Sequence, residues 1–445
     1  MNEFQLDVYQ NEYLPQGASE VNAIVTVTAT GGDGPGEAVS APAEPAAEVI
    51  IIDCSGSMDW PSTKLAAAKR ATAAAIDALR DGVLFAVIAG THNAAIVFPY
   101  EGGMARAGAE TRAAAKQSLS RLSADGGTAM GEWLRLAANV FASRASGLRH
   151  AILLTDGRNE HEPPEKLARI LDRVAGQFVC DCRGVGTDWE VGELRKISET
   201  MLGSVDIVAE PAGLEADFRA MTAASMGKKV ADVALRLWTP QGATVKFVKQ
   251  VEPSLVDLTA RRVESGPRTG DYPTGSWGAE SRDYHVCVQV APAGVGDKML
   301  AGRVGLVTAA GEQLGPRAQV LAVWTDDTVL STKISPEVAH YTGQAELASA
   351  IDEGLQAQRT GDVETATAKL GRAVALAHQS GHEDTAKLLA NVVDVVDPVQ
   401  GTIRLKRGVS PVDSMTLESR SQVTKRVGRT TGESAESGKS GKEAH

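Results

Sequence analysis

Asp53, Ser55 and Ser57 stand at alternate positions directly after the run Glu48-Val49-Ile50-Ile51-Ile52. An extended loop turns alternate side chains to one side, so a carboxylate and two hydroxyls can face a single point. Such a set is a hard oxygen site, suited to Mg²⁺ or Mn²⁺ and poorly suited to Zn²⁺. The element that must present it is the apolar run. Its Val and Ile residues are continuous rather than alternating, which reads as a strand buried on both faces. The three polar residues then fall in the loop at the carboxyl end of a central parallel strand, the edge where open α/β sheets bind ligands.

D-x-S-x-S after a buried strand resembles the metal-ion-dependent adhesion site of the von Willebrand factor type A family. The resemblance implies completion by a Thr and an Asp from two later loops. The chain offers Thr128 in Asp125-Gly126-Gly127-Thr128-Ala129 and Asp156 in Leu153-Leu154-Thr155-Asp156-Gly157. Thr128 follows glycines and opens a helix; Asp156 ends an apolar strand. The likeness covers roughly residues 46 to 224 and implies direct ligation by Ser55, Ser57 and Thr128. It also implies that Asp53 and Asp156 hold metal-bound waters, or that one of them ligates directly. The expected ion is Mg²⁺ or Mn²⁺, with Ca²⁺ also compatible. One acidic residue at a strand end is ordinarily a turn or cap residue; it is the combination of five that points to a metal. Asp59 reads as a helix cap or a solvated charge, and His92 and His161 as surface residues on neighbouring loops.

Competing chemistry fits poorly. Neither Ser55 nor Ser57 has glycines two before and two after, as a nucleophile elbow needs. Gly31 to Gly36 lacks the G-K-[ST] ending of a phosphate loop, and no helix follows it. No general base or nucleophile accompanies the five residues, so the expectation is recognition and not catalysis. The net charge of -11 argues against a general nucleic-acid binder. No apolar run approaches the ~20 residues of a membrane span. The N-terminus has neither the basic nor the apolar region of a secretory signal. Cys54, Cys180, Cys182 and Cys287 form no C-x-x-C pair and read as reduced cysteines of a cytoplasmic protein. The alanine and arginine bias suggests a GC-rich bacterial source.

A chain of 445 residues should hold about two or three domains. Residues 46–224 alternate strands and helices, which predicts a doubly wound, mostly parallel α/β sheet. Residues 228–330 carry short alternating runs such as Val233, Leu235 and Leu237, which predict an antiparallel β-sandwich. The two alternating runs within residues 1–30 are too few to stand alone, so they are assigned to that sandwich. The α/β unit then becomes an insertion, entered through a Gly/Pro/Ala linker at 31–47. Residues 335–397 predict a small helical bundle with helices at Glu346–Arg359, Val363–Gln379 and Glu383–Val396, the first pair resembling a tetratricopeptide hairpin. A last extended piece is expected near Thr402–Lys406. Residues 408–445 are poor in large apolar side chains and predict a disordered tail.

The functional expectation is a metal-dependent protein-interaction scaffold whose partner supplies an Asp or Glu carboxylate. Two alternatives remain at this stage. The chain could be an adaptor subunit for a separate ATPase or chelatase-like enzyme, since it has no Walker motif of its own. Or Thr416, Thr424, Thr430 and Thr431 in the tail could be phosphorylated and read by a forkhead-associated domain.

Overall fold

The computed structural model describes residues 3–30, 45–61, 63–143 and 147–426. The linker expected at 31–47 lies largely outside the described residues, as do Thr430, Thr431 and the rest of 427–445.

Three strands come first: β1 (Glu3–Gln10), β2 (Tyr13–Pro15) and β3 (Glu20–Thr30). The α/β unit follows with β4 (Ala47–Asp53), α1 (Thr63–Ala78), β5 (Leu84–Gly90), β6 (Ala94–Phe98) and β7 (Ala105–Arg106). It continues through α2 (Ala109–Leu119), α3 (Met130–Phe141), β8 (Arg149–Thr155), α4 (Pro164–Val174) and β9 (Val179–Val185). It closes with α5 (Val191–Thr200), β10 (Val205–Val208) and α6 (Leu214–Met226). The sheet order is β10-β9-β8-β4-β5-β6, with β7 also against β5. All neighbours run parallel except β6 and β7, which are antiparallel to β5.

All seven residues of β4 are buried, and the pleat explains why every one is apolar or satisfied. Val49 and Ile51 face Trp133, Leu134 and Phe141 of α3. Ile50 and Ile52 face Ala67, Ala68, Ala71 and Ala75 of α1 and Phe218 of α6. Alanine on the inner face of α1 lets that helix sit close to the sheet. β4 has β5 on one side and β8 on the other, so the chain reverses its direction of growth across the sheet at β4. Asp53 therefore ends the strand at the topological switch point, where loops diverge and leave a crevice.

Beyond α6 come β11 (Val230–Trp238), β12 (Thr244–Glu252), β13 (Val256–Asp257), β14 (Val263–Gly266) and β15 (Thr269–Trp277). Then follow β16 (Glu280–Gln289), β17 (Lys298–Val307) and β18 (Gln313–Thr325). They form two sheets, ordered β1-β3-β16-β12-β13 and β14-β15-β11-β17-β18-β2. The first strands of the chain thus hydrogen-bond with strands that come after the α/β unit. Val25, Val27, Leu235, Tyr272, Trp277 and Val286 share the core of these sheets.

At the amino-end edge of the α/β sheet, a cavity of about 370 Å³ separates it from the sandwich. Its charged groups are paired with one another. The His150 ring bonds Glu48 at 2.7 Å and Asp181 at 3.0 Å. Lys228 reaches both oxygens of Glu280 at 2.8 Å. Burial alone would lower the His150 pKa, but Glu48 and Asp181 outweigh it and push it up to about 10. His150 is therefore a fixed imidazolium that joins β4, β8 and β9.

The remaining elements are α7 (Thr328–Ser331), α8 (Pro336–Thr360), α9 (Val363–Gln379), α10 (Glu383–Val392), β19 (Val393–Asp397), β20 (Thr402–Leu405) and α11 (Pro411–Arg420). Two expectations are corrected here. The helix expected to reach Val396 ends at Val392, because Val393–Asp397 pairs with Thr402–Leu405 as a hairpin. The β-branched Val393, Val395 and Val396 suit a strand as well as a helix face. The segment expected to be a disordered tail is ordered as far as Arg426. Leu417 is fully buried among Leu355, Leu370, Leu389 and Val392, with Val409 packed beside it and Met415 against the α/β core. Polar bonds hold the rest: Arg195 to the Glu418 carbonyl, Gln422 to Asp352 at 3.1 Å, and Arg426 to Asp283 at 3.0 Å. Low apolar content was a poor guide because this segment docks mainly through hydrogen bonds. Thr416 bonds the Val412 carbonyl within α11, and Thr424 is buried with its hydroxyl on Glu252 at 2.8 Å.

Candidate metal centre

The Asp53 carboxylate has no exposure to water. One oxygen accepts the Ser55 N–H at 2.7 Å and the other the Thr155 hydroxyl at 2.5 Å. Burial raises its pKa to about 6 against those hydrogen bonds. A carboxylate this far from water is stabilised as an anion by a nearby cation.

After Asp53 the chain makes a short 3₁₀ turn, Gly56–Asp59. Met58 is fully buried and anchors it, while Ser57 faces outward. The hydroxyls of Ser55 and Ser57 are 2.9 Å apart, and Ser57 donates to Asp156 Oδ1 at 2.6 Å. Asp59 is exposed on the same turn.

Thr128 arrives on a loop sewn to this turn by backbone bonds. Asp125 N–H donates to the Cys54 carbonyl at 2.8 Å, and Gly56 N–H to the Gly126 carbonyl at 2.9 Å. Gly126 has φ +75°, a conformation that favours glycine. Gly127 lies flat on the His161 ring; a Cβ there would come within 2.1 Å of it. His161 in turn accepts the Thr128 N–H at 3.3 Å. Of the two histidines read as surface residues, His161 is exposed yet shapes the Thr128 loop.

Asp156 is completely buried beneath the cleft. The next residue, Gly157, sits against both hydroxyls: a Cβ would lie 3.1 Å from Ser57 Oγ and 3.4 Å from Thr128 Oγ1. The five residues singled out by sequence therefore stand together around one cradle of hard oxygens that a methyl group would invade. The cleft above it, about 230 Å³, is lined by Ser55, Ser57, Thr128, Gly157, Glu160 and Asp188 among others. This donor set fits Mg²⁺ or Mn²⁺. Among the described residues no group of three or more His, Cys, Asp or Glu stands in metal-holding geometry.

Three further residues were not singled out by sequence. Asn159 Oδ1 accepts the Met130 N–H at 2.7 Å, and Glu162 Oε2 accepts the Gly131 N–H at 2.8 Å. They cap α3 from the Asp156 loop and so lock that loop to Thr128. No local capping signature announces them, because the cap at the helix start is Ala129. The third is Lys64. Its buried ammonium lies 2.7 Å from Asp156 Oδ2 and 3.3 Å from Asp188 Oδ2. In sequence it is one charge among the alanines of α1.

The von Willebrand factor type A domain matches residues 49–159, and the von Willebrand factor type A C-terminal domain matches residues 375–421. A Synechocystis sp. protein described as uncharacterised is 33% identical over 219 residues, 48% of this chain and 50% of its own. The chain thus spans about half the length of that curated relative. The solved structure of an ArnB paralogue, VWA2 from Sulfolobus acidocaldarius, covers 94% of this chain and 98% of its own with a TM-score of 0.57; at 14% identity this shows the fold alone. The solved structure described as von Willebrand factor type A from Catenulispora acidiphila has a TM-score of 0.90 at 54% identity. It covers 96% of this chain and 98% of its own. Agreement of that extent over both full lengths shows that the chain belongs to the von Willebrand factor type A family.

Proposed function

We propose that this protein is a metal-dependent protein-interaction module with an intact metal-ion-dependent adhesion site. Ser55, Ser57 and Thr128 would hold Mg²⁺, or Mn²⁺ or Ca²⁺, through their hydroxyls. Asp53 and Asp156 would hold it through water, or one of them directly. The bound ion would supply an electrophilic position for an external carboxylate. The observation that carries the reading is the Gly157 cradle, where Ser57 and Thr128 approach one empty glycine face beside Asp156.

The chain's own residues do the positioning. Asp53 fixes the Ser55 backbone, Met58 anchors the turn, and Asn159 with Glu162 ties the Thr128 loop to the Asp156 loop. Hydroxyl ligands are neutral, which favours recognition of an anionic oxygen from a partner.

The test is affinity capture from native lysate with wild type in Mg²⁺, wild type in EDTA, and Asp53→Ala in Mg²⁺. The reading expects a protein captured only by wild type in Mg²⁺. Partners retained alike in all three would refute it.

A further inference from the structure

Lys64 is not where helix energetics would put a lysine. It occupies the first turn of α1, where the partial positive end of the helix disfavours a cation. It is also buried, which costs an unpaired ammonium heavily. Its compensation is Asp156: the ion pair is 2.7 Å long and both side chains are at least nine-tenths buried. Asp188 adds a contact of 3.3 Å from an exposed side chain, so water screens its share. Asp156 is thus held from two sides. Ser57 donates to Oδ1, on the cleft side, and Lys64 donates to Oδ2, behind it.

This arrangement fixes the charge of the site. Asp53 and Asp156 together carry the two negative charges that would balance a divalent ion, and even from behind its neutral hydroxyl ligands they would lessen its demand for an external anion. The Lys64 ammonium cancels one of those two charges. Counting the buried groups, a loaded site then carries about one unit of positive charge, which one further carboxylate neutralises; Asp188 and Glu160 also line the cleft but are exposed, so water screens their charge. Resting on the proposed metal-binding function and deepening it, we propose that Lys64 is the built-in counter-charge of this centre. It weakens binding of the bare cation and makes a single partner carboxylate the completing ligand, so that cation and partner load cooperatively.

The test measures Mn²⁺ affinity by electron paramagnetic resonance and calorimetry, using Mn²⁺ alone and Mn²⁺ with saturating acetate. Acetate should strengthen Mn²⁺ binding to wild type. In Lys64→Met, Mn²⁺ alone should bind roughly tenfold tighter or more, because a unit charge beside a divalent ion is removed at low effective dielectric. The acetate enhancement should shrink towards none. Lys64→Gln, which keeps a hydrogen-bond donor without the charge, should behave in the same direction and guards against a variant that does not fold. Unchanged or weaker Mn²⁺ binding in both variants, with lowered melting temperature, would make Lys64 a structural strut and overturn the proposal while leaving the metal site standing. Wild type that binds no Mn²⁺ would overturn the metal reading itself, and this proposal with it. Wild type that binds Mn²⁺ with no acetate enhancement overturns the proposal alone.

Discussion

A single methyl group tests where the cation sits. Gly157 does not have the positive φ that excludes side chains, so Gly157→Ala keeps the backbone. The new Cβ would lie 3.1 Å from Ser57 Oγ, 3.4 Å from Thr128 Oγ1 and 3.9 Å from Ser57 Cβ. Those contacts need only a few tenths of an ångström of relief in the folded chain. Alanine also restricts the unfolded chain, a gain of about 0.4–1 kcal/mol at a compatible position. The two effects oppose, so stability should change by less than about 1 kcal/mol. Metal binding is a different matter. An ion of this class needs its oxygens at about 2.0–2.1 Å, and a methyl carbon between two of them takes the space it requires. The expected loss of Mn²⁺ affinity is at least about a hundredfold, or roughly 2.7 kcal/mol. Calorimetric titration with Mn²⁺ and thermal unfolding on the same preparation separate the two quantities. A variant with normal melting temperature and wild-type Mn²⁺ affinity would refute the placement of the ion between Ser57 and Thr128.

Three further predictions concern the scaffold. His150→Gln leaves Glu48 and Asp181 without a cation between them and should cost about 3–5 kcal/mol in urea unfolding; a loss under about 1 kcal/mol would mean the imidazolium is not a structural link. The pH dependence has a definite sign. The His150 pKa rises on folding from 6.5 to about 10, so its stabilisation is full below pH 6.5 and is lost as pH rises through 10. Wild-type stability should therefore fall between pH 7 and 10, by up to roughly 1.4 kcal/mol per unit. The same series in His150→Gln should be flatter; equal slopes would assign the effect elsewhere. Leu417→Ala should cost about 2–5 kcal/mol, read as a lower urea midpoint and faster proteolysis of residues 408–426. A neutral outcome would mean that α11 is not docked in solution.

The sheet and its ligand edge were legible because their signals are local. Five residues, Glu48 to Ile52, β-branched and with almost no polar interruption, read as a strand covered on both faces, and D-x-S-x-S directly follows it. Thr128 and Asp156 needed the family resemblance, since nothing within residues 53–57 names partners so far along the chain. What stayed hidden was pairing between distant polar groups. Glu48, His150 and Asp181 come from three separate strands, and no period in the sequence links them. Residues 408–426 misled for the same reason: their attachments to Arg195, Glu252, Asp283 and Asp352 are polar and long-range. At Val392–Val396 the difficulty was ambiguity, since a short run of valines satisfies both helix and strand patterns.

Several departures from local rules gather around one cleft. α3 begins after Ala129, among the poorest residues for capping a helix. α1 carries a lysine where an acidic residue would serve it better. Asp53 and Asp156 are carboxylates with no exposure to water. Each defect is made good by a group from another loop: Asn159 and Glu162 for α3, Asp156 for Lys64, and Thr155 for Asp53, with Ser55 adding a bond from the Asp53 loop itself. A helix that capped itself would leave the Thr128 and Asp156 loops free to drift apart. Helices and strands left incomplete on their own hold those loops in register, because each is completed only when the loops are in place. Departures from local consistency that are repaired across a crevice are expected at functional sites. Here they converge on the same few oxygens that Gly157 leaves uncovered.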